Sequence, residues 1–254
     1  MHYILHILIF VLITGIVIAA ILRILWIEKK DRELLCSVSS PHRGTYSEQR
    51  LVIKLLKCGI HPDTIFHDIY IDKGNYMYSQ VDIVIPTKVG IIVIEVKDYS
   101  GWIFGNGEQK YWTQILNYGN EKHRFYNPIL QNEGHISALK QTLNTNPNIP
   151  YFSLIVFCGS SEIKKLSGIP ANTFVIYPFH IVDTINRIIA NNPPAQYSNK
   201  WDILMQLKSA KENGNNKEIV HRHAHNTSKI EKPASTYTSR LRLFNFRRFR
   251  FPRR

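Results

Sequence analysis

From Tyr3 to Leu22 the chain carries no Asp, Glu, Lys or Arg, and this run constrains the molecule more than any other stretch. At about 1.5 Å of rise per residue, twenty helical residues cover roughly 30 Å, the thickness of a bilayer's hydrocarbon core. One transmembrane helix is therefore expected over residues 3–24. A cleaved signal peptide is the competing reading. No Lys or Arg precedes the run, however, and the run outlasts the usual apolar segment of such peptides. Arg23, Lys29, Lys30 and Arg32 follow it closely, and basic residues favour the cytoplasmic side of a membrane. The expected arrangement is a single-pass protein of the cell membrane, with its N-terminus outside and its domain in the cytoplasm.

With 254 residues in all, the chain beyond the anchor holds one domain of ordinary size and its appendages, not two full domains. Cys36, Cys58 and Cys158 form no CxxC pair, so neither a disulfide framework nor a cysteine zinc site is supported. The formal net charge of +13 is unevenly spread. Residues 211–254 hold 12 Lys and Arg against 3 Asp and Glu, which leaves 20 against 16 for residues 1–210. The body is mildly basic and the tail strongly so. The last fifteen residues, RLRLFNFRRFRFPRR, contain seven Arg and no acid.

Residues 25–44 read as a juxtamembrane linker. Thr45-Tyr46-Ser47-Glu48 then forms a capping-box pattern that opens an amphipathic helix, with Leu51, Val52, Leu55 and Leu56 on one face and Gly59 as its stop. Strands are expected over 64–71, 78–86 and 90–99, the last so rich in Ile and Val that both its faces should be covered. Asn106-Gly107 predicts a two-residue hairpin turn. Asn127-Pro128 predicts the start of a helix running to about Leu143. Strands over 152–158 and 173–177 and helices near 180–190 and 199–210 complete a domain spanning 45–210. Its fold class is α/β, a mixed β-sheet flanked by helices. The polar, basic segment 211–254 is expected to hold little stable structure.

Chemistry concentrates on two strands. Side chains alternate along a strand, so Glu95 and Lys97 share a face, about 6.6 Å apart. A tight link at residues 87–90 brings Asp82 of the preceding strand beside Glu95. Hydrolysis of a phosphodiester near neutral pH needs a divalent cation to offset charge and activate water, and converging carboxylates suit Mg²⁺ or Mn²⁺. A lysine at their side serves in one of three ways: orienting the attacking water, deprotonating it, or stabilising charge on phosphorus.

The spacing of Asp82 and Glu95-Val96-Lys97 resembles the signature of the PD-(D/E)XK restriction-endonuclease-like superfamily. The runs YSEQRLVIKLL, YSQVDIVIPTKVGIIVIEVKDYSGWIFG and YNPILQN resemble, in order and spacing, its nuclease-related branch, the NERD domain, most clearly over 45–143. The resemblance implies a restriction-endonuclease-like fold and a metal-dependent endonuclease of DNA, with RNA as the other substrate. It assigns catalytic positions to Glu48, Asp82, Glu95, Lys97 and Gln131, with Asp82, Glu95 and Glu48 as ligands of Mg²⁺ or Mn²⁺, and it matches Gln80 to the family's Q-x-D.

Plainer roles stand beside these. Glu48 completes the capping box, Glu95 and Lys97 read equally as a strand-end ion pair, and Gln131 as an exposed helix residue. His221, His223 and His225 read as tail residues without a metal, and Trp102 and Trp112 as packing for the sheet. Ser160-Ser161 lacks the GxSxG context of a serine hydrolase. The tail's interleaved Arg and Phe suit anionic lipid or nucleic acid. The alternative to an enzyme is a catalytically inactive nucleic-acid-binding or membrane scaffold module that keeps the fold.

Overall fold

The computed structural model describes residues 2–144 and 148–230. Helix α1 runs from His2 to Cys36. An 18-residue window within it has a mean hydropathy of 3.0, and none of that window is buried. It is long and apolar enough to cross a membrane. The expected linker at 25–44 is helical as far as Cys36, because Asp31 and Leu35 pack against the domain. Asp31 pairs with Lys57 and approaches Arg50 at 3.9 Å.

The capping box forms as its pattern predicts. Thr45 and Glu48 exchange backbone and side-chain hydrogen bonds at the start of α2 (Tyr46–Lys57). Five strands then make one sheet in the order β1 (Phe66–Asp72), β2 (Tyr78–Thr87), β3 (Gly90–Asp98), β7 (Tyr151–Cys158) and β9 (Thr173–Ile176). The first three are antiparallel, while β3, β7 and β9 run parallel. Helices cover both faces of this sheet, as the unbroken apolar text of β3 requires. Ile92 and Ile94 pack with α2 and with α4 (Ile181–Asn191). Ile91 and Val93 pack with α3 (Pro128–Thr142) and α5 (Lys200–Asn213).

A second sheet grows around the hairpin expected at residues 102–112; its outer strands were not legible in the sequence. It has the order β6 (Glu121–Tyr126), β5 (Tyr111–Leu116), β4 (Gly101–Asn106), β8 (Ser161–Ser167). Trp112, Ile103, Phe157, Ile155 and Ile129 form the core that joins it to the first. The architecture is thus mixed α/β with two mixed sheets flanked by helices. Its outer strands β6 and β8 are mostly polar and owe their conformation to pairing.

Two further expectations are corrected. Asn106-Gly107 does not form a two-residue turn: β4 and β5 are joined by residues 107–110, and neither Asn106 nor Gly107 takes positive φ. Asn127 instead ties this link, its side-chain amide donating to the carbonyls of Asn106, Gly107 and Gln109. Past residue 211 the chain is ordered as far as residue 230. After α5, helix α6 (Lys217–Ile230) docks at the start of β2 through His223, whose Nδ1 lies 3.0 Å from the Tyr78 carbonyl. Tertiary contact overrides the polar composition there. The Arg- and Phe-rich end, residues 231–254, lies outside the described residues.

Candidate functional site

The phase of β3 decides where its charges go. Ile91 and Val93 face α3, and Glu95 and Lys97 continue that same face as the strand reaches its end. Lys97 Nζ sits 2.6 Å from Glu95 Oε1 and donates to Gln131 Oε1 of α3 at 2.9 Å. One turn further along α3, His135 Nε2 lies 3.2 Å from Glu95 Oε2. Asn132, buried between them on that helix, donates to the Val93 carbonyl and to Ser153 Oγ, which locks α3 onto β3 and β7.

Asp82 lies just beyond the paired register of β2 and β3, which runs from Thr87↔Gly90 to Ile83↔Ile94. There the strands part, and Asp82 Oδ2 accepts the Val96 backbone N–H at 2.8 Å. On its other side β1 is irregular: Asp68 takes φ +52 between the pairs His67↔Ile83 and Ile69↔Val81. Asp82 lies two residues before Val84, and Glu95 two after its partner Val93, so alternation sets both carboxyls on the face that meets α3. Gln80 does not join the centre. Its amide donates to Asp68 Oδ1 at 2.8 Å.

The electrostatics follow from that crowding. Burial, then the charges of Glu95 and Glu48, push Asp82 well above the usual carboxylate range, against the opposing Val96 N–H and Lys97. Burial also raises Glu95, but Lys97 and His135 outweigh it and hold Glu95 below its ordinary value. Burial would lower Lys97, yet Glu95 and Asp82 more than compensate and keep it charged. One carboxyl that resists ionisation, one that is ionised and a fixed ammonium thus stand together.

Glu48 is drawn in two directions. Its Oε1 takes the Thr45 N–H and hydroxyl, while its Oε2 faces His67 Nε2 at 3.4 Å. The structure gives it the structural job of the capping box and places its charge close enough to act on Asp82. Among the described residues, no three His, Cys, Asp or Glu side chains form a ready-made metal cluster. Glu48 Oε2 and Glu95 Oε2 are buried, each facing a histidine Nε2; Mg²⁺ commonly takes only one or two carboxylates, keeping waters in its other positions. Asp82 and Glu95 fit that demand.

A cavity of about 620 Å³ lies elsewhere, between α1, α2 and residues 158–179, with Arg50, Lys54, Lys57 and Phe179 on its walls. It includes neither Asp82 nor Glu95.

Residues 43–158 match the Nuclease-related domain family, NERD. The match takes in α2, the whole centre around Asp82, Glu95 and Lys97, and α3, and it extends the likeness read from the sequence through β7. Over 109 residues the chain is 28% identical to an uncharacterized protein of Bacillus anthracis, a stretch that is 43% of this chain and 49% of that relative. The matched stretch thus spans about half the length of the relative. No solved structure matches. The matched segment brings together Asp82, Glu95, Lys97 and Gln131 and sets Glu48 at their border. His135 was missed in the sequence, although its place four residues after Gln131, on the same helical face, was a signal that could have found it.

Proposed function

We propose that this protein is a membrane-anchored endonuclease that hydrolyses phosphodiester bonds in DNA, with RNA as the alternative, and that it depends on Mg²⁺ or Mn²⁺. One observation carries the reading: Asp82, whose carboxylate accepts the Val96 N–H at 2.8 Å, and Glu95, whose Oε1 lies 2.6 Å from Lys97 Nζ, converge where the pairing of β2 and β3 ends. The spacing of Asp82 and Glu95-Val96-Lys97 resembles the PD-(D/E)XK signature, and the match to the nuclease-related domain supports the reading.

Asp82 and Glu95 would hold the cation, which when bound supplies charge compensation for phosphate and activates water. Binding would favour the ionised form of Asp82 and relieve its repulsion with Glu95. Lys97, held between Glu95 and Gln131, would serve as a donor that stabilises charge building on phosphorus or orients the attacking water. Gln131 fixes the ammonium from the helix side. Glu48 holds the start of α2 and adds negative charge at the border.

The alternative, a catalytically idle binding or scaffold module, is favoured by the lack of any three-ligand cluster among the described residues. Purified full-length chain in detergent or nanodiscs, incubated with supercoiled plasmid and Mg²⁺ or Mn²⁺, separates the two. Metal-dependent nicking that disappears in Asp82→Ala and Glu95→Ala is expected. Cleavage that persists in excess chelator, or variants as active as the parent, would defeat the assignment.

A further inference from the structure

The cavity between α1, α2 and residues 158–179 takes no part in the chemistry at Asp82 and Glu95. Its volume of about 620 Å³ falls within the roughly 300–1,000 Å³ typical of small-molecule sites. Arg50, Lys54 and Lys57 of α2 share its wall with one acid of α1, Asp31, so the lining carries a net charge of +2, three cations against one acid. Lys57 bonds Asp31 Oδ1, and Arg50 stands 3.9 Å from Oδ2. The Arg50 and Lys57 side chains are 60% and 50% exposed. Ion pairs that open to water are weak, so both cations can turn to an incoming anion.

The opposite part of the lining is apolar, with Leu51, Ile53, Pro178 and Phe179. Phe179 stacks on Tyr177 with ring centroids 5.7 Å apart and is 62% exposed. Cations beside exposed apolar surface suit an amphiphile with an anionic head.

The rise of α1 says where that amphiphile lies. Lys30 stands over the Trp26 ring at 4.2 Å, and Trp near the end of a span marks the membrane–water interface. The helix is unbroken to Cys36, and Asp31 and Leu35 hold it to the domain. Asp31 is therefore only about 7.5 Å beyond Trp26, at about 1.5 Å per residue. The polar layer of each leaflet is about 5–7 Å thick. With α1 across the bilayer, the cavity that Asp31 lines borders the headgroups.

We propose that this cavity binds the headgroup of an anionic glycerophospholipid from the bilayer that α1 crosses. Arg50, Lys54 and Lys57 meet the phosphate, the guanidinium through paired N–H groups and the ammonium groups as point charges. Phe179 rests against the glycerol and upper acyl region. The proposal rests on the membrane-anchored reading above and is independent of the nuclease reading. A bound lipid would clamp α1 to α2, the helix whose first turn carries Glu48.

Cys58 lines the cavity and is exposed, whereas Cys36 is exposed on α1 outside the lining. The test compares their maleimide labelling rates in the full chain, reconstituted in nanodiscs of phosphatidylcholine or of phosphatidylcholine and phosphatidylglycerol in equal parts. Taking Cys58 relative to Cys36 cancels the effect of surface potential on the thiolates. Phosphatidylglycerol should slow Cys58 about tenfold on that ratio, as an occupied site demands. The joint change Arg50→Gln and Lys54→Gln should abolish the protection. Equal ratios in the two discs, or protection that survives the joint change, overturn the lipid site and leave the anchor standing. Inorganic phosphate or a DNA duplex that protects Cys58 as well in phosphatidylcholine discs overturns it too, assigning the cavity to a soluble phosphate or to nucleic acid. Release of the chain from membranes by alkaline carbonate removes anchor and proposal together. Should the joint variant fail to fold, the wild type in the two discs, with the phosphate and DNA arms, decides the matter.

Discussion

Arg43 Nε meets Asp68 Oδ2 at 3.2 Å, with both side chains more than nine-tenths buried. The same guanidinium donates to the Asp68 carbonyl, to the Lys211 carbonyl at 2.9 Å and to Asn215 Oδ1 at 3.3 Å. One side chain thus joins the entry of the domain, the irregular point of β1 and the end of α5. Burial raises Asp68 although Arg43 pulls it down, so the carboxylate depends on its partner. Removing one member of such a pair strands a buried charge, and Arg43→Ala should cost about 3–5 kcal/mol. Denaturant unfolding checks this, and a loss below about 1 kcal/mol would show the pair to be dispensable.

Gly44 and Thr45 are adjacent but should respond differently. Thr45→Ala removes a helix cap and should cost about 0.5–2 kcal/mol. Gly44→Ala strains a backbone at φ +69 and drives a methyl group into His67 and Glu48. Its loss should be the larger, and equal melting temperatures for the two variants would contradict that order.

Lys97 and Gln131 should separate binding from chemistry. Lys97→Ala is expected to depress kcat far more than Mn²⁺ affinity, because in the proposed reaction the ammonium would meet the charge on phosphorus. Gln131→Ala acts through Lys97, and about a hundredfold loss in kcat with little change in KM is the expected signature. A pure KM effect would reassign Gln131 to substrate binding.

The three thiols should sort by environment. Cys36 and Cys58 are exposed and Cys158 is buried. Burial, then the charges of Asp98 and Glu48, push the Cys158 thiol up to about 11 from an ordinary 9.0. Its thiolate fraction at pH 8 is about a hundredfold below that of a free thiol, so maleimide should label it last. The folded chain holds this proton more tightly than the unfolded one. This thiol therefore withdraws stability as pH rises from about 9 to about 11, and melting curves of wild type and Cys158→Ala should converge over that window if the alanine is the less stable at pH 8. Prompt labelling of Cys158 in the folded protein would contradict this environment.

For topology we propose an outside N-terminus and a cytoplasmic NERD domain, from the basic cluster Arg23 to Arg32. A C-terminal green fluorescent reporter should glow in cells and a C-terminal alkaline phosphatase should be silent. Active phosphatase would reverse the orientation.

The sequence by itself determined what short-range chemistry determines. The apolar run at 3–22, the Thr45–Glu48 capping box, the Ile- and Val-rich β3 and the Asn127-Pro128 helix start were all legible, since each depends on neighbours within a few residues. So was the face shared by Glu95 and Lys97, because strand alternation fixes it. Tertiary structure decided the rest. Strands β6 and β8 carry too little apolar text to announce themselves and exist because β5 and β4 pair with them. Helix α6 is polar, yet it is held by His223 and by Arg222 stacked over Tyr76. The parting of β2 from β3 at Asp82, and the meeting of Ser79, His135 and Glu95 across 56 positions of chain between the first two, depend on how separate elements cross, and no local pattern encodes that.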